Sequence, residues 1–299
     1  MSGGTPGPGG LFGRPEALAA AAAGACSAVF ALWAMRGLPL GGLLLWAAPL
    51  PIFAAGFGFG ARSAAYATAV SAAVVVLTSS FLGFVIHLAL FSLPAVLIVA
   101  LAGRGSELEL SRPLALLGIW PVLLLLVLAV TIPDLEAEMR EAVEQGVQRM
   151  GVPMPDTMVA QIAQVKAAAA GFWLALLMLA NGWAGHRLAA SQGLSPPAVA
   201  DAADLRLPGW YLPLPLVAGA AWLAFGGAVA LSSMLLLLVP LFLMGVVAVH
   251  LRLRGRPARK AFLAGFYVLM LLFLQVMAPL MVGLGLFEQY RRRATPPPT

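Results

Sequence analysis

The sequence predicts an all-α protein, a polytopic bundle of transmembrane helices with an amphipathic helical hairpin outside the membrane. Three observations carry that reading. First, the 299 residues are 61% hydrophobic and 10% charged, with a mean hydropathy of +0.94. Soluble domains run at about 45–50% apolar and about 25% charged, so this chain has too little polar surface to face water throughout. Second, the charges are clumped. Stretches 37–61, 63–103, 207–251 and 261–287 hold no Asp, Glu, Lys or Arg, and a spanning helix needs about 20 mostly apolar residues. Third, runs such as Pro121–Val130 and Leu235–Val249 are apolar at odd and even positions alike. Barrel strands would alternate. Lipid satisfies no backbone hydrogen bonds, so these runs must be helices.

The elements follow in order. Residues 1–14 are rich in Gly and Pro and read as a disordered tail. An Ala-rich span at about 17–35 comes next; further hydrophobic spans follow it, which favours a retained span over a signal peptide. Span two, about 38–60, holds Pro49 and Pro51. Spans three and four, about 63–79 and 82–102, are joined by a turn at Ser79, Ser80 and Gly83. Span five, about 113–132, starts at Pro113, where the first turn tolerates proline.

Residues 134–165 differ from the rest. Six of the twelve acids lie between Asp134 and Asp156. Leu135, Met139, Val143, Val147 and Met150 recur at the spacing of one helix face, and Glu136, Glu138, Glu141 and Glu144 lie off it. That is an amphipathic helix at a membrane surface. A second helix starts near Asp156 and continues into span six, about 167–186. A Pro-rich loop, 187–212, follows. Residues 213–251 are long enough for two spans, with Gly226-Gly227 and Ser232-Ser233 as turn signals. The last span runs from about 261 to 286 with a bend at Pro279, and 294–299 form a disordered Pro-rich tail. The expectation is one polytopic domain over 15–293 with nine spans, or eight.

Lys and Arg mark the cytoplasmic side. Placing the 252–260 loop there puts the N-terminus inside and the acidic hairpin outside. Nine spans then leave Arg291–Arg293 outside. Either the count is off by one or the tail breaks the rule. Arg outnumbers Lys 16 to 2 in a chain rich in Ala, Gly and Pro, which reads as a GC-rich bacterial genome and a bacterial cytoplasmic membrane.

Little in the spans carries chemistry. Cys26 is the sole cysteine, so an intrachain disulfide and a cysteine metal cluster are excluded. No HExxH, GxSxG or nucleotide loop occurs. No enzyme activity, cofactor or metal is expected. Ionisable groups within a membrane are functional candidates, and His87 is the deep one here. Ser80, seven residues earlier, shares its face in a continuous helix. Asn181 and Gln275 are the other deep polar side chains. These four, Ser80, His87, Asn181 and Gln275, are candidates for a neutral ligand; the alternative is helix-to-helix bonding. The absence of buried acids and bases argues against ion-coupled transport. Ala19, Ala20 and Ala23 offer a small-residue face for a neighbouring helix or a partner. Arg252, Arg254, Arg256, Arg259 and Lys260 form a loop suited to anionic lipid headgroups; nucleic acid is not an expected partner.

Several motifs occur in a recognisable order. Pro49-Leu50-Pro51 follows an Ala-rich first span, and a Gly-Phe-Gly turn comes next. A charged hairpin separates spans five and six. Asn181 precedes His186-Arg187-Leu188, and Leu205–Pro208 follows. Leu241–Gly245 leads toward the basic loop. Gly283-x-Gly285-Leu-Phe and an arginine cluster close the chain. In this order, over roughly 15–293, the chain resembles the YybS-like bacterial membrane family, the domain of unknown function 2232. The N-terminal half of that family resembles the substrate-binding S components of energy-coupling-factor transporters. The resemblance implies a small-molecule pocket among the first helices, a partner module that hydrolyses ATP, and a docking face on the first span. S components are shorter, and spans seven to nine have no counterpart in them. Two functions are therefore expected: a transport-type subunit for a small, largely uncharged solute, or a non-transporting scaffold or assembly factor that acts through its partners.

Overall fold

The computed structural model describes residues 15–103, 107–151 and 153–294, the side chains of 293 and 294 excepted. The tail 1–14, Arg104, the side chain of Arg293 and residues 295–299 lie outside this description.

The helices are α1 (Pro15–Met35), α2 (Gly41–Ala47), α3 (Pro49–Phe59), α4 (Ala61–Thr78), α5 (Phe81–His87), a π-helical turn (Leu88–Ser92), α6 (Leu93–Ala102), α7 (Ser111–Thr131), α8 (Leu135–Met150), α9 (Asp156–Ser191), α10 (Pro213–Phe225), α11 (Ala228–Arg252), α12 (Arg259–Leu272) and α13 (Leu274–Ala294). Strand β1 (Glu107–Leu108) pairs in parallel with β2 (Ala198–Val199). The chain forms two compact units. One holds the described residues up to Glu109 together with Leu176–Val199; the other holds Leu110–Ala175 and the described residues from Ala200 onward.

Among the described residues, seven helices are long and apolar enough to cross a membrane: α1, α2 with α3, α4, α5 with α6, α7, α9 and α11. The α12–α13 pair would make an eighth if it counted as one broken span. These helices account for seven or eight spans, eight being the alternative count expected. Helix α10 has 13 residues, about 20 Å, against a hydrocarbon core of about 30 Å. The final span also departs from expectation. It breaks at Phe273 with a 119° bend, and Pro279 lies inside α13.

In the first unit, small residues let α1 and α4 approach closely. Ala20, Gly24, Ser27, Ala28 and Ala31 of α1 are buried, as are Ser63, Ala64, Ala67 and Ser71 of α4. A Cβ on Gly24 would collide with the Ala67 carbonyl. Close backbone packing of this kind stabilises helix pairs in lipid. The small face of α1 is thus used inside the chain: Ala20 is buried, and Ala19 and Ala23 are half-buried.

In the second unit, α8 lies beside the start of α9. Leu135, Met139 and Val143 are buried, and Val143 packs with Val159 and Ala163. Met150, placed by periodicity on the same face, is 67% exposed. Asp134 caps α8 and Gly151 ends it at φ 65°. The turn at Gly226 and Gly227 forms as read, with φ 68° and 84°. Ser232 and Ser233 make no turn. They are buried within α11, and the Ser232 hydroxyl donates to the Gln164 carbonyl at 3.2 Å.

Helix α11 orders the second unit. The Ala228 N–H at its start donates to the Glu136 carboxylate of α8 at 2.6 Å. At its far end Arg254 pairs with Asp201 at 3.2 Å, and Arg252 with Glu288 at 2.6 Å. The chain from Asp201 to Ala228 therefore travels the length of α11, first through two short 3-10 turns (Ala202–Asp204 and Gly209–Tyr211) and the chain between them, then as α10. The α12–α13 pair leaves the Arg252 end of α11 and returns to it. Arg291 and Arg292 thus share an end with the 252–260 loop, which removes the conflict that nine spans created. A cysteine-free Cys26→Ser background with Arg256→Cys or Tyr290→Cys is expected to react with an impermeant maleimide from one side of the membrane. Glu141→Cys is expected to react from the other side. Opposite labelling of 256 and 290 would overturn the return path.

Candidate functional site

His87 ends α5 and is fully buried. Its Nε2 lies 2.7 Å from the Ser71 hydroxyl of α4 and 2.9 Å from the Ser92 hydroxyl. Both serines are buried. The π-helical turn explains the second contact. In an α-helix at about 100° per residue, residues five apart point away from each other. The wider i→i+5 winding of a π-turn brings Ser92 back beneath His87. Two hydroxyls on one ring nitrogen leave either tautomer open. The other nitrogen, Nδ1, has no hydrogen-bond partner, and neither do the buried hydroxyls of Ser27 and Thr68. The Ser63 hydroxyl donates to the Glu16 carbonyl at 3.3 Å, and Gly24 sits against Ala67 and Val70. These two contacts align α1 with α4 and place Ser27 one turn on, at the level of Ser71.

The four ligand candidates do not come together. Ser80 is exposed and caps α5, accepting from the Gly83 N–H at 3.1 Å. The cap starts a new helix there, so the shared face that seven-residue spacing implied serves α5 rather than a pocket. Asn181 is buried in the first unit. Its amide donates to the Trp46 carbonyl at 2.8 Å and the Leu177 carbonyl at 2.9 Å. The Trp46 carbonyl sits beside a helix break at Ala48, where Pro49 and Pro51 supply no N–H. Asn181 thus joins helices. Gln275 is exposed on α13 in the second unit. Of the four, His87 alone keeps a buried, unpartnered polar atom.

A second polar cluster escaped the sequence reading. Glu288 is 2% exposed and gathers Arg252, Arg291 and Arg292 at 2.6, 2.7 and 3.4 Å. Arg292 also donates to the carbonyls of Ala202, at 3.1 Å, and Leu205, at 2.7 Å. The adjacent Gln289 is fully buried. Its carbonyl accepts from the Leu207 N–H at 2.9 Å, and its amide donates to the Leu207 carbonyl at 2.8 Å. The side chain takes the place of a neighbouring strand for a stretch of non-helical chain. The (i,i+3) and (i,i+4) spacing of Glu288 to Arg291 and Arg292 was the available signal.

The basic loop divides. Arg252 is held by Glu288 and Arg254 by Asp201, whereas Arg256, Arg259 and Lys260 are exposed. The Ala203 N–H and the Arg254 guanidinium hold the Asp201 carboxyl below its ordinary range. No group of three or more His, Cys, Asp or Glu is placed to hold a metal among the described residues. Comparison with protein families, with curated proteins and with solved structures finds no match.

Proposed function

We propose that the protein is a transport-type membrane subunit whose first unit binds a small, largely uncharged solute at His87. The observation that carries this reading is the unpartnered Nδ1 of a fully buried imidazole. The orphaned hydroxyls of Ser27 and Thr68 in the same unit add to it. Each buried polar group without a partner costs about 1–3 kcal/mol. A solute that both donates and accepts hydrogen bonds, such as a neutral alcohol or amide, recovers that cost. No charged residue occurs from 63 to 103 to attract an ion. The resemblance to the YybS-like family and to S components points to the same half of the chain, and to a partner module that supplies ATP hydrolysis. The proposed site of action is a bacterial cytoplasmic membrane, with the N-terminus, the 252–260 loop and Arg291–Arg292 on the cytoplasmic side.

The test is mass spectrometry of small molecules released from the purified, tagged protein. Wild type is expected to carry a neutral polar metabolite. His87→Leu, close in volume, is expected to carry at least about tenfold less, since a site built to hydrogen-bond is left unpaired. Ser80→Ala is expected to match wild type. Wild-type protein that releases nothing but lipid sinks the reading.

A second reading, a scaffold that acts through protein partners, has its own support. Asn181 and Ser232 are committed to helix-to-helix bonds, and Glu138 and Glu141 of α8 are exposed. Neutralising those two acids should then abolish partner recovery; unchanged recovery removes this reading.

A further inference from the structure

We infer that the Arg252 end of α11 and the outer face of α12 together form a binding site for an anionic phospholipid. Two acids, Asp201 and Glu288, engage Arg252, Arg254, Arg291 and Arg292. Arg256, Arg259 and Lys260 are exposed and form no ion pair with a described residue. They cluster just before and within the first turn of α12. Farther along that helix, exposed Phe262, Val268, Leu269, Leu271 and Leu272 present hydrocarbon surface. Exposed Tyr290 adjoins Arg291, and amphipathic rings of this kind sit at headgroup level.

The order of these features matches one ligand class. Cations at the base of a helix meet a phosphate, and the apolar face above them meets acyl chains. A soluble acidic peptide would leave that apolar face bare. The return of α13 to the Arg252 end brings the exposed Arg291 to the same end of the unit, while Arg292 is buried and donates to the Ala202 and Leu205 carbonyls. The opposite end of the unit carries the acidic α8 and repels the same lipid. The site is independent of His87 and of any solute bound there.

The experiment is reconstitution in nanodiscs of equal parts phosphatidylcholine and phosphatidylglycerol, then mild detergent extraction and lipid mass spectrometry. A cation near the surface favours anionic lipid by about fivefold. Wild type is expected to retain phosphatidylglycerol over phosphatidylcholine by about tenfold or more. The Arg256→Gln, Arg259→Gln, Lys260→Gln triple variant is expected to fall close to parity. All three side chains are exposed, so the fold should survive, and an unchanged melting temperature in phosphatidylcholine alone verifies it. Arg140→Gln, at the opposite end, is expected to keep the preference. Retention in the mixing proportion by wild type, or an undiminished preference in the triple variant, overturns the site.

Discussion

Gln289→Leu is expected to lower the melting temperature of the detergent-purified protein by roughly 5–20 °C. Leucine fills a similar volume, so packing is nearly conserved and the loss isolates the hydrogen bonds. Gln289 satisfies both backbone groups of Leu207. Removing it orphans one N–H and one C=O, each fully desolvated group costing about 1–3 kcal/mol. Water cannot compensate, because both Gln289 and Leu207 are buried. Non-helical backbone inside a membrane protein survives only where protein groups satisfy it. Gln275→Leu, on the exposed start of the same helix, is expected to leave the melting temperature unchanged. A Gln289→Leu protein that melts within a degree or two of wild type would show that Leu207 finds other partners.

Gly285→Leu is expected to prevent recovery of monodisperse protein. A Cβ at Gly285 would overlap the Leu241 carbonyl, and one at Gly245 would overlap the Met281 carbonyl. The obstacles are backbone atoms, so no rotamer change relieves them. Helices α11 and α13 must separate, and the Arg252–Glu288 pair and the Gln289–Leu207 bonds part with them. Losses of more than about 4–5 kcal/mol are expected from overpacking combined with broken buried polar contacts. Gly283 provides the control: a Cβ there meets nothing within 4 Å. Gly283→Leu is expected to purify like wild type. Size-exclusion profiles of the two variants decide the matter. Equal behaviour would mean that α13 does not dock tightly on α11.

Most local signals in the sequence held, although Ser232-Ser233 made no turn and Met150 is exposed. The apolar runs became helices, the Gly226-Gly227 turn formed, and α8 buried Leu135, Met139 and Val143 as its period implies. Features that depend on distant contacts were not legible. Ser92 approaches His87 only because the helix widens between them, and an α-helical projection puts the two apart. Gln289 lies in a segment that reads as a polar, charged tail, and its partner is 82 residues away. The break at Phe273 has no Pro or Gly at the bend, whereas Pro279, the visible signal, lies inside α13. The small-residue stripe on α1 was visible. That α4 rather than a partner covers it was not.

The clamp on Leu207 also imposes a timetable on biosynthesis. Gln289 emerges 82 residues after the backbone it satisfies, roughly 4–16 s later at about 5–20 residues per second. During that interval the N–H and C=O of Leu207 lack the side chain that satisfies them in the folded protein, so this stretch of backbone can be buried only after α13 has docked.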